Sequence, residues 1–267
     1  MMLVTTSEVK EITGIKNELE DSEIESLISD AQASLEKHLY TKLSFTEKID
    51  ILEENQKTKI FTKKSPLLRV KDLRIGDTTI SLSSIKFSRS GMIELYQDNS
   101  PEVAEFNDIV KVKYDYGRLN ETETQTETTT DKEAGDNSLD VDDPSDFEKN
   151  DIIWIIGLDG NKEACKVTEV GSDYLKVDNT TLDHESGSQV TKLDVEDVIK
   201  RLIKIITGIS ISVRMVGQTY TFNTGYSLSD LSVQKGVPYT HWHQMANDFI
   251  KERDLLLKKI KPQYIIE

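Results

Sequence analysis

The chain has 267 residues, of which 36% are hydrophobic and 30% are charged, and its formal net charge is −15 at pH 7. This composition is typical of a globular protein of one or two domains, and the charge disfavours a protein that wraps nucleic acid over its whole surface. No apolar run is long enough to span a membrane, and the N-terminus lacks the basic and apolar regions of a signal peptide.

The N-terminal region predicts a short helix, a turn and a long amphipathic helix. Residues 6–13 form the short helix, which begins at a Thr6 or Ser7 cap and ends at Gly14. In residues 21–43, apolar side chains recur at three- and four-residue steps and place one apolar stripe on a helix. These side chains are Ile24, Leu27, Ile28, Ala31, Leu35 and Leu39. A generic helical hairpin fits the same residues.

Between Phe45 and Gly117 the apolar period falls from 3.6 residues to about 2, and turn residues become frequent. This pattern predicts four or five short antiparallel strands inserted after the long helix. The candidate segments are residues 59–62, 65–75, 78–80, 92–96 and 108–116.

A Thr/Glu-rich tract follows at residues 120–133, and because it has no apolar residue it predicts a linker or mobile loop. Beyond it, short apolar segments separated by turns predict a five-stranded, barrel-like module of about 55 residues. The segments are residues 138–141, 152–156, 163–170, 174–177 and 189–193. The stretch 120–191 interrupts the rest of the chain, so we interpret it as an insertion.

Helix is predicted again at residues 195–208, between an Asp194 N-cap and a Gly208 C-cap. Its apolar residues cover more than one face, which is typical of a central or interface helix. Residues 209–222 alternate loosely and predict a hairpin about Gly217. A last helix is predicted at residues 239–260, followed by an apolar tail.

Signatures of catalysis or cofactor binding are absent from the sequence: it contains no phosphate loop, no GxGxxG, no GxSxG and no HExxH. We therefore expect no catalytic, cofactor-binding or metal-binding residue, no cofactor and no enzymatic activity. The single cysteine, Cys165, excludes an internal disulfide framework and is interpreted as a small buried apolar side chain.

Two residue groups raise a metal hypothesis. His241 and His243 flank Trp242, but side chains two apart on a helix face different ways, so packing or surface roles are favoured. An aspartate cluster resembles a calcium loop, but proline stands at a ligand position and serine at the glycine position, so turn capping is favoured. The cluster comprises Asp140, Asp142, Asp143 and Asp146.

Four stretches carry a pattern found together in one family: residues 3–10, 21–31, 65–70 and the segment 112–117 that reads Val-Lys-Tyr-Asp-Tyr-Gly. Together they are similar to the head–tail connector (adaptor) proteins of long-tailed bacteriophages and related archaeal viruses. The resemblance covers residues 1–117 and, more weakly, 193–267. Compact members of the family run from the Tyr-x-Tyr-Gly strand straight into helix, so the insertion is a departure from their pattern.

The resemblance implies an α+β fold in which N-terminal, middle and C-terminal helices form a bundle with an antiparallel β extension and an inserted small β-barrel-like module. The expected domains are residues 1–117, with the N-terminal helices and β region, 118–192, with the linker and inserted module, and 193–267, with the C-terminal helices and a docking tail that complete the adaptor core.

The function implied by the resemblance is that of a non-enzymatic virion structural protein at the phage neck, assembled in the host cytoplasm. Such proteins form a ring, commonly of twelve copies, beneath the portal; the ring joins capsid to tail and forms a channel for genome DNA without sequence-specific binding. The expected partners are further copies of the chain, the portal, and a stopper, tail-tube or tail-terminator protein, with no membrane.

Two groups of residues are predicted to make these contacts. Portal docking is assigned to the basic, apolar C-terminus, namely Lys258, Lys259, Lys261, Tyr264, Ile265 and Ile266. The oligomer interface is assigned to helix residues Ile24, Leu27, Ile28, Leu202, Ile205 and Ile206. For the basic end of the last helix, simple complementarity to the helix dipole is the alternative.

Two other functions remain as alternatives at this point. The first is a tail-completion or stopper protein of the same structural class. The second is a ligand-binding module, for example for a host-surface glycan, carried by the inserted β domain, whose candidate aromatic residues are Trp154 and Tyr174.

Overall fold

A computed structural model describes residues 2–16, 18–52, 59–97, 100–101, 108–222 and 238–260. The chain divides into two compact units. The first comprises Met1–Tyr40 with Glu196–Gln263 and is helical, whereas the second is built around Thr41–Val195 and is mostly β. None of the described helices has the length and apolar character needed to cross a membrane.

Where the structure describes the first unit, it has four helices: α1 (Thr6–Thr13), α2 (Asp21–Leu39), α3 (Asp197–Phe222) and α4 (Pro238–Leu257). Helix α1 has the predicted bounds, but its cap is Thr5, whose hydroxyl accepts the Glu8 N–H while the Glu8 carboxylate accepts the Thr5 N–H. Helix α3 packs against the other three helices.

The predicted hairpin at residues 209–222 was wrong, because α3 continues as a helix to Phe222. Gly208 therefore does not end a helix. A Cβ on Gly208 would lie 2.6 Å from the ring of Phe249, so the glycine allows α4 to approach α3 closely. The loose alternation beyond it belongs to a helix whose Ile211 and Ser212 are buried.

Fourteen strands are assigned in the described residues. In chain order they are β1 (Thr46–Leu52), β2 (Lys59–Phe61), β3 (Leu67–Ile75), β4 (Thr78–Thr79), β5 (Ile85–Phe87), β6 (Met92–Gln97), β7 (Ser100–Pro101), β8 (Val110–Tyr116), β9 (Asn120–Glu127), β10 (Ser138–Asp140), β11 (Ile152–Ile156), β12 (Lys162–Val170), β13 (Tyr174–Val177) and β14 (Gln189–Asp194). Each segment predicted to be a strand within residues 59–116 and 138–193 forms one.

These strands form three antiparallel sheets. One has the order β1-β8-β3-β4, a second has the order β2-β6-β5 with β7 paired to β6, and a third has the order β10-β13-β12-β11-β14-β9. The first two sheets share one apolar core, which includes the fully buried Ile60, Leu67 and Ile93. The third has its own core, which includes Leu139, Ile153 and Cys165.

The predicted linker was wrong in its first half, because Asn120–Glu127 is strand β9 and pairs antiparallel with β14. A tract without apolar residues cannot bury a face of its own, but an edge strand needs only one neighbour for its backbone hydrogen bonds. Threonine also suits a pleated surface. The tract therefore extends the third sheet.

The predicted fold class was wrong as well. The described part of the chain is mixed and mostly β, with four α-helices and three antiparallel sheets, instead of a helical bundle carrying a small barrel. Among the described residues no sheet closes into a barrel. In the third sheet, β9 adds a sixth strand at one edge, and the far edge approaches it only at a single bridge between Thr128 and Val141.

Candidate assembly surfaces

The predicted interface residues lie in the helical unit, and most are interior. Ile24, Ile28, Leu202 and Ile205 are fully buried among the helices of that unit, whereas Leu27 and Ile206 are half-buried. Substituting the four buried residues would test packing inside the chain first. Contact with a second subunit through this group stays a prediction.

The predicted docking segment is described in part. Lys258 and Lys259 are exposed in a turn after α4, and Ile260 beside them is buried. Lys261, Tyr264, Ile265 and Ile266 lie outside the described residues.

Ion pairs fix the position of α3. Lys204 contacts Glu8 at 2.6 Å, Arg214 contacts Glu23 at 2.5 Å, and Arg201 donates to both oxygens of Glu252 at 2.9 and 3.1 Å. The hydrogen bond from Lys204 lowers the pKa of the Glu8 carboxyl, and the Glu252 carboxylate raises the pKa of Arg201. These contacts are half-exposed, so they orient the helix more than they stabilise it.

Two of the aspartates considered for metal binding have other partners. Asp140 accepts hydrogen bonds from Thr130 and Lys132 at 2.7 and 2.8 Å, and Asp143 accepts the Ser145 N–H at 3.0 Å. The Lys132 hydrogen bond lowers the pKa of the Asp140 carboxyl. In the described part of the chain, no group of three or more His, Cys, Asp or Glu residues is arranged to hold a metal ion.

Arg69 on β3 is the most elaborate polar site in the second unit, and its role was not predicted from sequence. The side chain is 1% exposed. Its Nε donates to Asp115 at 2.9 Å and its Nη2 to Asp178 at 2.6 Å. Its Nη1 donates to the main-chain carbonyls of Asp178 and Asn179 at 3.3 and 3.2 Å.

The Arg69 site joins two parts of this unit. Asp115 lies on β8, in the segment that resembles the connector family, and Asp178 follows β13 in the insertion. Burial alone would lower the pKa of Arg69, but the carboxylates of Asp178 and Asp115 raise it overall, so the guanidinium stays charged. One buried cation therefore holds the third sheet, which we call the inserted sheet, against the sheet β1-β8-β3-β4, which with the β2-β6-β5 sheet we call the family-like sheets.

The structure explains the residue type at three of the four positions of the Tyr-Asp-Tyr-Gly segment. Tyr114 donates to the buried Asp50 at 2.6 Å, and Asp115 holds Arg69. A Cβ on Gly117 would lie 2.5 Å from the carbonyl oxygen of Ser44, so a side chain does not fit there. These three residues of the motif therefore make tertiary contacts.

The inserted sheet has its own buried polar centre. Glu163 and His184 are both fully buried, and His184 Nε2 lies 2.7 Å from the Glu163 carboxylate. The same carboxylate accepts hydrogen bonds from the Thr181 N–H, the Thr181 hydroxyl and the Leu182 N–H at 2.7 to 3.0 Å. These bonds fix the segment before β14 onto β12.

A small cavity of about 190 Å³ lies in the same unit. Its walls come from the β3–β5 region, from the β11–β12 turn and from the segment between β13 and β14. They are Val70, Leu82, Ile85, Lys86, Phe87, Asp159, Gly160, Asn161, Lys162, Thr181 and Leu182. This volume is below the range usual for small-molecule sites. Trp154, a candidate glycan platform, is 2% exposed and presents no ring face to solvent.

Charge is distributed very unevenly along the chain. Residues 118–192 contain 19 Asp and Glu against 7 Lys and Arg, so they carry −12 of the net charge of −15. Fifteen of these carboxylates are exposed, whereas only two lysines of the segment, Lys149 and Lys166, are exposed. The inserted sheet therefore presents a strongly acidic surface, and the rest of the chain is close to neutral.

Residues 2–128 match the family model described as Head completion protein. No curated protein matches the chain. The match includes α1, α2 and strands β1 to β9, and it confirms over this stretch the resemblance to the phage head–tail connector family. It indicates a virion component at the phage head–tail junction, with a role in joining head and tail or completing that junction.

Proposed function

We propose that this chain, whose residues 2–128 belong to the head completion protein family, is a head-to-tail adaptor that forms a ring beneath the portal. In this proposal the ring has twelve copies, joins the capsid to the tail, lets the genome pass and performs no catalysis. The family match is the observation that carries the proposal. The stopper, tail-tube or tail-terminator protein would bind the face of the ring away from the portal.

The charge distribution supports a channel that does not retain DNA. Phosphate attracts basic surfaces and is repelled by acidic ones. An assembly with a net charge of −15 per copy has little general affinity for the genome, and its most acidic part is the inserted sheet. Sequence-specific recognition is no part of the proposal.

Portal docking is proposed for the C-terminus. Lys258 and Lys259 are exposed directly after α4, and the residues that follow include Tyr264, Ile265 and Ile266. A basic turn next to an apolar segment suits a partner groove that is apolar at its base and acidic at its rim.

Light scattering of the full chain, alone and with its cognate portal protein, tests the proposal. We expect a stoichiometric complex in which one ring of the chain binds one portal. The double variant Lys258→Glu, Lys259→Glu should weaken portal binding at least about tenfold, since reversing charge at a contact rim costs more than 1 kcal/mol. Lys251→Glu, an exposed lysine within α4, is the matched control.

A chain that does not bind the portal, under conditions in which tails still join, would contradict the adaptor role. Binding only to portal complexes that already carry another neck protein would favour the stopper role instead. Equal effects of the double variant and the Lys251→Glu control would remove the docking assignment alone.

A further inference from the structure

Strand β1 is an exposed edge with an apolar outer face. Among the described strands it pairs only with β8. Ile49 and Ile51 on β1 are 49% and 60% exposed, and Ile109, just before β8, is 53% exposed. Natural proteins usually protect an edge strand with charges or proline, because an unprotected edge recruits another strand. We call Ile49, Ile51 and Ile109 with the β1 backbone the isoleucine edge.

Cations flank the isoleucine edge. In the register of the sheet, Lys113 lies opposite Ile49 and Lys111 lies opposite Ile51. Lys113 contacts Glu47 at 3.2 Å, whereas Lys111 is exposed and has no ion-pair partner among the described residues. A basic, apolar face of this kind in a chain with a net charge of −15 fits an acidic partner.

Strand β9 is an edge of the opposite character. It pairs only with β14 among the described strands, and the Thr128–Val141 bridge closes its C-terminal end. Glu121, Glu123 and Gln125 alternate along it and are exposed. Two copies of β9 paired with each other would place like charges opposite one another, which is destabilising. The edge therefore fits a basic strand and not a second copy of itself.

We propose that the isoleucine edge of one copy pairs with strand β9 of a second copy, so that an intermolecular sheet joins neighbouring subunits. This inference rests on the proposed ring. The contact uses two different surfaces of the chain and is repeated head to tail, which is the geometry that generates rings. Backbone hydrogen bonds supply the pairing, as in other cases of strand addition.

Side chains then set the choice of partner strand. The carboxylates of Glu121 and Glu123 approach Lys111 and Lys113 of the neighbour. The aliphatic stems of these long side chains cover Ile49 and Ile51 and remove them from water. The acidic inserted sheet acts here as an assembly element, since it brings charge complementary to the basic edge.

Sedimentation velocity of the full chain over a concentration series tests the pairing. Lys111→Glu and Glu123→Lys should each weaken self-association about tenfold, and the combination should restore most of the loss because the charges are exchanged. Lys149→Glu, an exposed reversal in the turn before β11, is the control and should have no effect. Ile51→Lys, at an exposed position, should weaken association at least as strongly and leave the melting temperature unchanged.

A chain that remains monomeric up to about 1 mM overturns the proposal. So does an association that the two single reversals leave unchanged, or one that the combined reversal does not restore. A dimer abolished by Ile51→Lys but insensitive to Glu123→Lys would indicate pairing between two β1 strands instead. Failure of the adaptor role itself is distinguishable, since the portal-binding measurement reports it whether or not β1 and β9 pair.

Discussion

Two regions of the second unit have the same kind of interior and opposite kinds of surface. The family-like sheets pack an aliphatic and tyrosine core, and the inserted sheet packs an aliphatic core with one cysteine. Each also buries a carboxylate, Asp50 in the first region and Glu163 in the second. Outside, the inserted sheet is strongly acidic, whereas β1 and β8 expose isoleucine and lysine. Both regions are therefore stabilised by similar apolar cores, and the difference in their surface charge determines which partners each can bind.

The largest expected effect comes from removing the cation that joins the two regions. Arg69→Met should lower the free energy of unfolding of the second unit by about 3–5 kcal/mol, since Asp115 would remain buried with its main partner removed. Urea unfolding monitored by tryptophan fluorescence measures it, because Trp154 lies in the inserted sheet. Arg74→Met, on the same strand but exposed, should cost less than about 0.5 kcal/mol. Equal costs for the two variants would refute the assignment of Arg69 as the junction.

A smaller effect is expected inside the inserted sheet. Glu163→Gln replaces an acceptor of four hydrogen bonds with a group that also carries donors, which should cost about 2–3 kcal/mol. Hydrogen exchange should show faster exchange at Thr181 and Leu182 while the β1–β8 pair stays protected. Glu169→Gln, an exposed position on the same strand, serves as the comparison. Loss of protection throughout both regions would show that they do not differ in local stability.

The third effect is a pH dependence of the family-like region. Burial tends to raise the pKa of Asp50, but hydrogen bonds from Tyr114 and the Lys63 N–H outweigh it, so the folded-state pKa is below the ordinary value. A carboxyl with a depressed pKa contributes stability that is present above its unfolded pKa, about 3.9, and is lost as pH falls through the folded value. Stability should therefore fall as pH is lowered below about 4.

Tyr114→Phe removes one of the bonds that depress the pKa of Asp50, so it should cost about 1–2 kcal/mol at pH 7. It should also make the loss of stability on acidification shallower. Urea midpoints between pH 6 and pH 3 for the wild type and the variant measure both. Parallel curves for the two proteins would exclude Asp50 as the titrating group.

Much of the fold was accessible from local patterns. Helix α1 has the predicted bounds, and the alternating segments of residues 59–116 and 138–193 form strands where expected. Prediction failed where local pattern and tertiary context disagree. The Thr/Glu tract has the composition of a linker, but it forms a strand because its backbone pairs with β14. The residues after Gly208 have the alternation of a hairpin, but they form a helix because neighbouring helices cover their apolar side.

The assembly surfaces show the same division. The helix residues assigned to an oligomer interface were chosen because they are apolar, but four of them are buried within their own unit. An apolar stripe indicates that a helix packs against something, but it does not identify whether the neighbour is in the same chain or in another subunit. The exposed isoleucines of β1 were not identified, because exposure depends on which strands flank the segment.

The sequence by itself determined the type of most elements, the β nature of the insertion, the excess of negative charge and the resemblance to head–tail connector proteins, with which the Head completion protein match over residues 2–128 agrees. These depend on the residue period and on short motifs, which are local properties of the chain. Only the tertiary structure decided the burial of Arg69 between Asp115 and Asp178, the close approach at Gly208 and the position of β1 and β9 at sheet edges among the described strands. Each of these joins residues distant in sequence, and no local pattern specifies such a partner.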